Sequence, residues 1–186
     1  MPLASLFRRK PHERAGFALY TAAVGAARDP GLFAALAVPD SLDGRFDLIG
    51  LEVALLIRRL RQDPDVRGAA LAQAVFDAMF ADMDMNLREM GVSDLSVGRR
   101  VKTMWEAFHG RAKAYDAALD AADPAPLAEA LARNVWRRDS PASGPDAPAL
   151  ALAAHVTGTV RALAAQDFGA LLRGEVVFPP YPSHAG

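Results

Sequence analysis

FDAMFADMDMNLREMGVSDLSVGRRVKTMWEAFHGRAKAY, residues 76–115, is the stretch of sequence that decides the fold. Its apolar side chains recur at intervals of three and four residues, which is typical of one face of an α-helix. In the first half this face consists of Phe76, Phe80, Met83, Leu87 and Met90. Gly91 is placed to end the helix, and a second helical pattern starts near Val97. The stretch predicts two long helices joined by a tight turn, with the heptad face in the core.

Helical spacing continues through the rest of the chain, and no useful β-alternation precedes the last dozen residues. Helices are predicted over residues 12–28, 46–60, 64–90, 97–122, 127–136 and 150–165. The most apolar of them, 46–60, is expected to be central. We predict an all-α, single-domain bundle of seven or eight helices with an extended, proline-rich C-terminal tail. Its parts are a basic and apolar arm (1–11), a helical domain (12–138), a flexible segment (139–149), C-terminal helices on the same domain (150–174) and the tail (175–186).

Composition narrows the class of protein. The chain has 186 residues, is 52% hydrophobic and 23% charged, and carries a net charge of −1 with no cysteine. The absence of cysteine agrees with a reducing compartment and excludes disulfides and thiolate metal sites. A near-neutral charge gives no field for nucleic acid, so no specific nucleic-acid binding is expected. The apolar run 48–57 is too short to span a membrane, and no signal peptide is evident, which predicts a cytoplasmic protein.

The acidic residues of 76–90 do not form a metal-binding motif. DMDMN begins like a calcium loop, but Leu87 occupies the glycine position and Ser93 the final glutamate position. Glu106 and His109 have the E-x-x-H spacing of di-iron bundles, yet no second copy occurs. No metal, no cofactor and no catalytic residue is predicted. The acidic face is therefore expected to be solvated or to bind a partner.

The GRRVK segment, residues 98–102, is predicted to lie at a helix N-terminus. Free N–H groups and the helix dipole favour an anion there, and Arg99, Arg100 and Lys102 would strengthen its binding. The alternative is a solvated basic turn neutralised by Asp82, Asp84 or Asp94. Both interpretations remain open on the sequence.

Two further features suggest apolar contacts. Methionine adapts to varied apolar partners, so Met79, Met83, Met85 and Met104 are candidates for an apolar client surface, with core packing as the alternative. The arm residues Phe7, Arg8, Arg9 and Lys10 combine apolar and basic side chains that could lie on an anionic membrane. A frayed terminus is the alternative.

Three segments resemble the ubiquinol–cytochrome c chaperone family: DGRFDL (43–48), FDAMFADMDMNLREMGVSDLSVGRRVKTM (76–104) and FHGRAKAYDAAL (108–119). The resemblance covers roughly residues 12–137. It implies a helical, non-enzymatic chaperone that receives newly made cytochrome b for the bc1 complex. Mitochondrial members work with a small partner protein and associate with the ribosome. The positions that match the motif are Asp82, Asp84, Leu87, Arg88, Glu89, Gly91, Asp94, Gly98, Arg99, Lys102, Gly110, Arg111 and Tyr115.

The leading hypothesis is therefore an assembly chaperone of the bc1 complex that binds cytochrome b or another bc1 subunit. The alternative is an adaptor that uses its basic residues on a ribosome or at the inner face of the bacterial inner membrane. A small partner protein is a further expectation. The candidate partner-binding residues are Asp77, Asp82, Asp84, Arg88, Glu89, Arg99, Arg100, Lys102, Arg111 and Tyr115.

Overall fold

Eight helices and no strands make up the regular structure of residues 12–121, 123–138 and 144–182, which are the residues described by this computed structural model. This confirms the predicted all-α class. The helices are α1 (Glu13–Ala27), α2 (Pro30–Ala34), α3 (Leu42–Gln62), α4 (Gly68–Glu89), α5 (Asp94–Leu119), α6 (Ala125–Val135), α7 (Ala147–Ala164) and α8 (Phe168–Leu172).

Helix α3 is the centre of the fold, as its apolar sequence predicts. Every residue from 51 to 57 is buried, as expected of a helix that is apolar on all sides. Leu51 and Leu55 pack with residues of α5, α6 and α7 in one core cluster. Leu56 and Leu60 pack with residues of α1 and α4 in a second cluster. The two clusters thus lie on opposite sides of one helix.

Helices α1 and α4 pack closely beside α3. A Cβ on Gly16 would lie 2.6 Å from the Ala74 carbonyl carbon, so this approach requires glycine. Further along, the Tyr20 hydroxyl donates to Asp82 Oδ2 at 2.7 Å. Residue numbers rise together along both helices at these two contacts. The helices therefore run in the same direction.

The turn between α4 and α5 has the geometry that its sequence predicts. Gly91 adopts a left-handed conformation with φ 79°. The Val92 N–H donates to the Leu87 carbonyl at 3.1 Å, which is the backbone bond of a Schellman motif. Helix α5 nevertheless starts at Asp94, three residues earlier than predicted.

The heptad face of α4 is shifted from the predicted one. Val75, Met79, Met83 and Leu87 are buried, whereas Met90 is 53% exposed. Phe76 and Phe80 are partly buried and pack against that cluster. The shift follows from packing, because α4 contacts α1, α3 and α5 and not one partner helix alone.

The C-terminal tail lies extended along the body from residue 175 to 182. The Gln166 side chain donates to the Val177 carbonyl at 2.7 Å and accepts from its N–H at 2.9 Å. The Tyr181 N–H donates to Asp29 Oδ2 at 2.9 Å. Helix α7 begins at Ala147, so residues 147–149 are helical and do not belong to a flexible segment. In the described ranges, no helix is both long and apolar enough to cross a bilayer.

Candidate functional site

An open groove of about 560 Å³ lies between α1 and α4. Phe17 and Met85 are 60% and 54% exposed at this groove. The lining residues are Glu13, Phe17, Ala70, Gln73, Ala74, Asp77, Ala78, Ala81, Asp82 and Met85. The site thus combines an apolar surface with carboxylates at its edges.

Small residues on α4 form the floor of the groove. Ala70, Ala74, Ala78 and Ala81 recur at intervals of four, four and three, which places them along one side of the helix. Because alanine ends at Cβ, the surface between Phe17 and Met85 stays concave. An extended or helical apolar segment can therefore approach the α4 backbone closely.

The acidic edge of the groove is held by hydrogen bonds. Asp82 accepts from the Tyr20 hydroxyl, and burial together with this carboxylate raises the pKa of Tyr20. Asp77 accepts from Gln73 Nε2 at 2.8 Å. Glu13, the first residue of α1, lines the groove at one end. Three carboxylates beside an apolar floor favour a partner whose apolar segment is flanked by cations.

The other acidic candidates lie away from the groove, at the α4–α5 corner. Arg88 Nε donates to Asp84 Oδ2 at 2.6 Å, and Arg88 also pairs with Asp94. Glu89 is exposed at the end of α4. The predicted acidic face is therefore two features, a groove edge and an ion-paired corner.

The interpretation of GRRVK as a helix N-terminus is wrong. Because α5 begins at Asp94, Gly98 lies one turn inside the helix, where its N–H is already within the hydrogen-bonded ladder. The alternative, neutralisation by Asp82, Asp84 or Asp94, is not found among the described residues either. Asp84 and Asp94 pair with Arg88, and Asp82 accepts from the Tyr20 hydroxyl. Arg99 and Arg100 are exposed and form no ion pair with any residue of the described ranges. Lys102 Nζ lies 3.8 Å from Glu106.

Arg111 and Tyr115 were predicted to bind a partner, but they face inward. Asp47 on α3 is buried between Arg111 of α5 and Arg137, which follows α6. Arg137 Nη1 lies 2.7 Å from Asp47 Oδ2. Tyr115 is only 2% exposed and lies in the core cluster of α3, α6 and α7. Arg111, whose side chain is 22% exposed, thus connects α5 to α3 through Asp47, and Tyr115 is part of the core.

The methionine surface also needs correction. Met79 and Met83 are buried because α4 turns that face to α1 and α3, so they cannot line an exposed client surface. Met104 is half-buried against the same core cluster. Met85 alone among the four lines the groove. The arm residues Phe7, Arg8, Arg9 and Lys10 lie outside the described residues.

The groove itself was not predicted from the sequence. The alanine spacing of α4 indicates close helix packing as readily as an open floor. Only exposed Phe17, on the side of α1 away from Leu19 and Ala23, could have suggested a second apolar surface. Its proximity to α4 is a tertiary contact that the local pattern does not contain.

The E-x-x-H pair has ordinary surface contacts. Glu106 lies near Lys102, and His109 Nδ1 is 2.9 Å from the Trp105 carbonyl. Within the described ranges, no three histidine, aspartate or glutamate side chains converge in a way that could hold a metal ion.

Comparison with known proteins identifies the class. The sequence model of the ubiquinol–cytochrome C chaperone family matches residues 34–178. The crystal structure of the Cbp3 homolog from Brucella abortus is similar, with a TM-score of 0.78 and 34% sequence identity over 96% of this chain and 97% of that chain. No curated protein sequence matches significantly.

The chain belongs to the ubiquinol–cytochrome c chaperone family, whose role is in assembly of the bc1 complex. This confirms the resemblance seen in the sequence. The matched range differs from the expected 12–137, because it includes the 139–149 segment, α7, α8 and the start of the tail. Helix α1 lies outside that range, although nearly all of the chain is covered by the structural match.

Proposed function

We propose that this chain holds an apolar segment of newly made cytochrome b in the α1–α4 groove during bc1 assembly, without catalysing a reaction. Family membership supports the assembly role. The observation that carries the binding site is the groove, where Phe17 and Met85 are exposed beside an alanine floor.

The chemistry of the groove suits a membrane protein before insertion. Such segments are long and apolar, and exposed apolar surface of this kind drives aggregation unless it is covered. Met85 can adapt to different apolar side chains because its thioether is flexible and polarizable. Covering Phe17 and Met85 with a client side chain removes apolar area from water on both partners.

The acidic edge adds a preference for the ends of such segments. Transmembrane helices carry an excess of lysine and arginine on the cytoplasmic side. Asp77, Asp82 and Glu13 would attract those cations within about 10 Å at moderate salt. Another bc1 subunit with the same pattern would bind in the same way, and identification of the co-purified chain distinguishes it from cytochrome b.

A negative charge on the groove floor should abolish client capture. Ala81 is exposed on α4 and lines the groove, so Ala81→Glu places a solvated carboxylate where apolar contact is proposed, with little effect on helix stability. In a deletion strain complemented with this variant, we expect at least a tenfold loss of co-purified cytochrome b and a matching fall in assembled bc1 complex.

The matched control is Ala117→Glu, which adds the same charge to an exposed position in the last turn of α5. This variant should restore bc1 levels fully. Wild-type levels of both cytochrome b capture and bc1 complex with Ala81→Glu would contradict the proposed groove. Mass spectrometry of the purified chaperone would also show whether a small partner protein accompanies it.

The adaptor function is the second candidate. Arg99 and Arg100 are exposed and form no ion pair within the described residues. Leu95, one turn earlier on α5, is 93% exposed. On this hypothesis the chain sediments with vesicles that contain anionic lipid at 50 mM salt. Arg99→Glu with Arg100→Glu should reduce binding more than fivefold, whereas the paired Arg88 offers no such site. Equal vesicle binding by the wild-type protein and by the double variant would exclude this surface.

A further inference from the structure

We propose that a second groove, between α1 and the C-terminal tail, binds an extended segment of another protein chain. The segment pairs with the free backbone edge of the tail and places a carboxylate beside Arg28. We call this site the tail groove; its volume is about 440 Å³, within the usual range for ligand sites. It is separate from the α1–α4 groove, and client capture there is not required for it.

The tail touches α1 at two points and leaves space between them. At the first point, a Cβ on Gly174 would lie 2.9 Å from Ala18 Cβ. At the second, the Tyr181 N–H donates to Asp29 Oδ2 at 2.9 Å. The tail therefore runs in the same direction as α1. Between the two contacts, one wall of the tail groove is formed by Ala22, Gly25 and Ala26 of α1 and the other by tail residues 176–180, while residues 28–30 lie where the tail returns to the helix.

The backbone of the tail is paired on one side and unpaired on the other. The side-chain amide of Gln166 bonds both the N–H and the C=O of Val177. Successive residues of an extended chain point these groups to opposite sides, so those of Val176 and Phe178 point away from Gln166. Neither Val176 nor Phe178 forms a backbone hydrogen bond with any residue that the structure describes. Both residues line the tail groove.

Such an edge is a template for strand addition. An extended peptide can donate to and accept from the free groups of Val176 and Phe178, as in β-augmentation. Pro179 and Pro180 have no N–H and end the edge, so the paired stretch is short. Val177 is 73% exposed and offers its side chain for a cross-strand contact. The alanines and glycine of α1 leave room for the side chains of the added strand.

Charge at the end of the tail groove favours an acidic segment. Arg28 is exposed and forms no ion pair within the described residues. Its neighbour Asp29 also lines the groove, but each carboxylate oxygen of Asp29 already accepts a backbone N–H, Oδ1 from Gly31 and Oδ2 from Tyr181. Arg28 thus keeps its donors for a ligand, and a guanidinium binds a carboxylate through two parallel hydrogen bonds.

A designed peptide tests the edge. The probe is acetyl-Asp-Thr-Val-Thr-Val-amide, because an antiparallel strand is slightly the more stable and would place its N-terminal aspartate near Arg28. We expect it to bind the full-length protein with a dissociation constant of about 1 mM or lower. Amide exchange followed by NMR should show that Val176 and Phe178 exchange at least threefold faster than Val177 in the free protein and become protected by the peptide. No binding, or protection elsewhere only, would overturn the proposal.

Methylated peptides distinguish strand pairing from apolar contact alone. One version carries N-methyl groups on its two valines and the other on its two threonines, so each blocks a different edge of the peptide. Since an added strand pairs through one edge only, one version should bind at least fivefold more weakly than the other. Equal affinities of the two versions would overturn strand pairing.

Variants of the protein test the wall of the tail groove. A Cβ on Gly25 would meet no atom within 4 Å, so Gly25→Leu fills the groove without displacing its surroundings. This variant should weaken peptide binding at least tenfold. The control is Gly158→Leu, at an exposed glycine of α7 that is equally open. Equal peptide binding by the two variants would overturn the location of the site.

Charge reversal tests the carboxylate contact. Arg28→Glu should weaken the aspartate peptide at least threefold at low salt and favour a peptide with lysine in its place. Arg14→Glu, at an exposed position of α1 outside the tail groove, is the control. Equal effects at positions 14 and 28 would refute the pairing.

These measurements use no cytochrome b. Failure of peptide binding would leave client capture in the α1–α4 groove standing, and failure of client capture would leave the tail groove standing. A dimer in which Val176 and Phe178 are protected without peptide would assign the edge to a second copy of the chain and overturn the proposal. Circular dichroism of each variant confirms that its helices are retained.

Discussion

Asp47→Ala will lower the free energy of unfolding by about 2–3 kcal/mol, because it removes the buried carboxylate that pairs with two arginines. Asp47 is 2% exposed and pairs with Arg111 and Arg137. Burial raises the pKa of this carboxyl group, and the two guanidinium groups oppose that shift. Removal of the carboxylate breaks the ion pair between α3 and α5 and the one between α3 and Arg137, which follows α6. Chemical denaturation followed by circular dichroism measures the loss.

Asp43→Ala is the matched control, since Asp43 is exposed four residues earlier on the same helix. It should cost less than about 1 kcal/mol, the usual value of a charge in the first turn. If Asp47→Ala does not fold, Asp47→Asn keeps the shape and should still lose more than about 1 kcal/mol. Equal effects at positions 43 and 47 would contradict the role of the buried network.

Glu52→Gln is expected to stabilise the protein by up to about 4 kcal/mol at pH 8. Glu52 lies in the centre of α3, is 3% exposed, and its Oε2 has no hydrogen-bond partner among the described residues. Burial raises the pKa of Glu52 from its ordinary 4.5 to about 8. Glutamine has nearly the same shape but never ionises, so it removes the unfavourable ionisation.

The effect has a defined pH window. Below pH 4.5 the carboxyl group is protonated in both folded and unfolded chains and does not affect stability. As the pH rises towards 8, the unfolded chain ionises first, so the stability of the wild-type protein falls. The difference between Glu52→Gln and wild type should therefore grow from pH 4 to pH 8. Glu89→Gln, at an exposed position, is the matched control. A difference at position 52 that stays constant with pH would contradict a buried acid without a partner.

Helix positions were largely predictable because local signals define them. Gly91 sets the end of α4, and the apolar run around residue 51 makes α3 central. The register of each buried face was less predictable. Met79 displaces Phe80 from the centre of the core because α4 packs against several helices, and single-helix periodicity does not specify those partners.

The motif residues show what a sequence pattern leaves undecided. Asp84, Arg88 and Asp94 look like a binding surface but hold the α4–α5 corner together. Arg111 looks available but pairs with buried Asp47, which is distant in sequence. Of the predicted site residues that the structure describes, only Asp77, Asp82 and Met85 meet at the groove, where Glu13 and Phe17 of α1 complete it. The groove depends on a pairing of helices about 60 residues apart, as the Tyr20–Asp82 bond shows.

Site-specific photo-cross-linking tests the central claim most directly. A diazirine amino acid at Ala81 on the groove floor, with Ala117 of α5 as the control position, would be activated in cells during pulse labelling of new protein. We predict a cross-link from position 81 to newly made cytochrome b and none from position 117. Cross-links to cytochrome b from position 117 alone, or from neither position while the chaperone still supports bc1 assembly, would contradict a client site between α1 and α4.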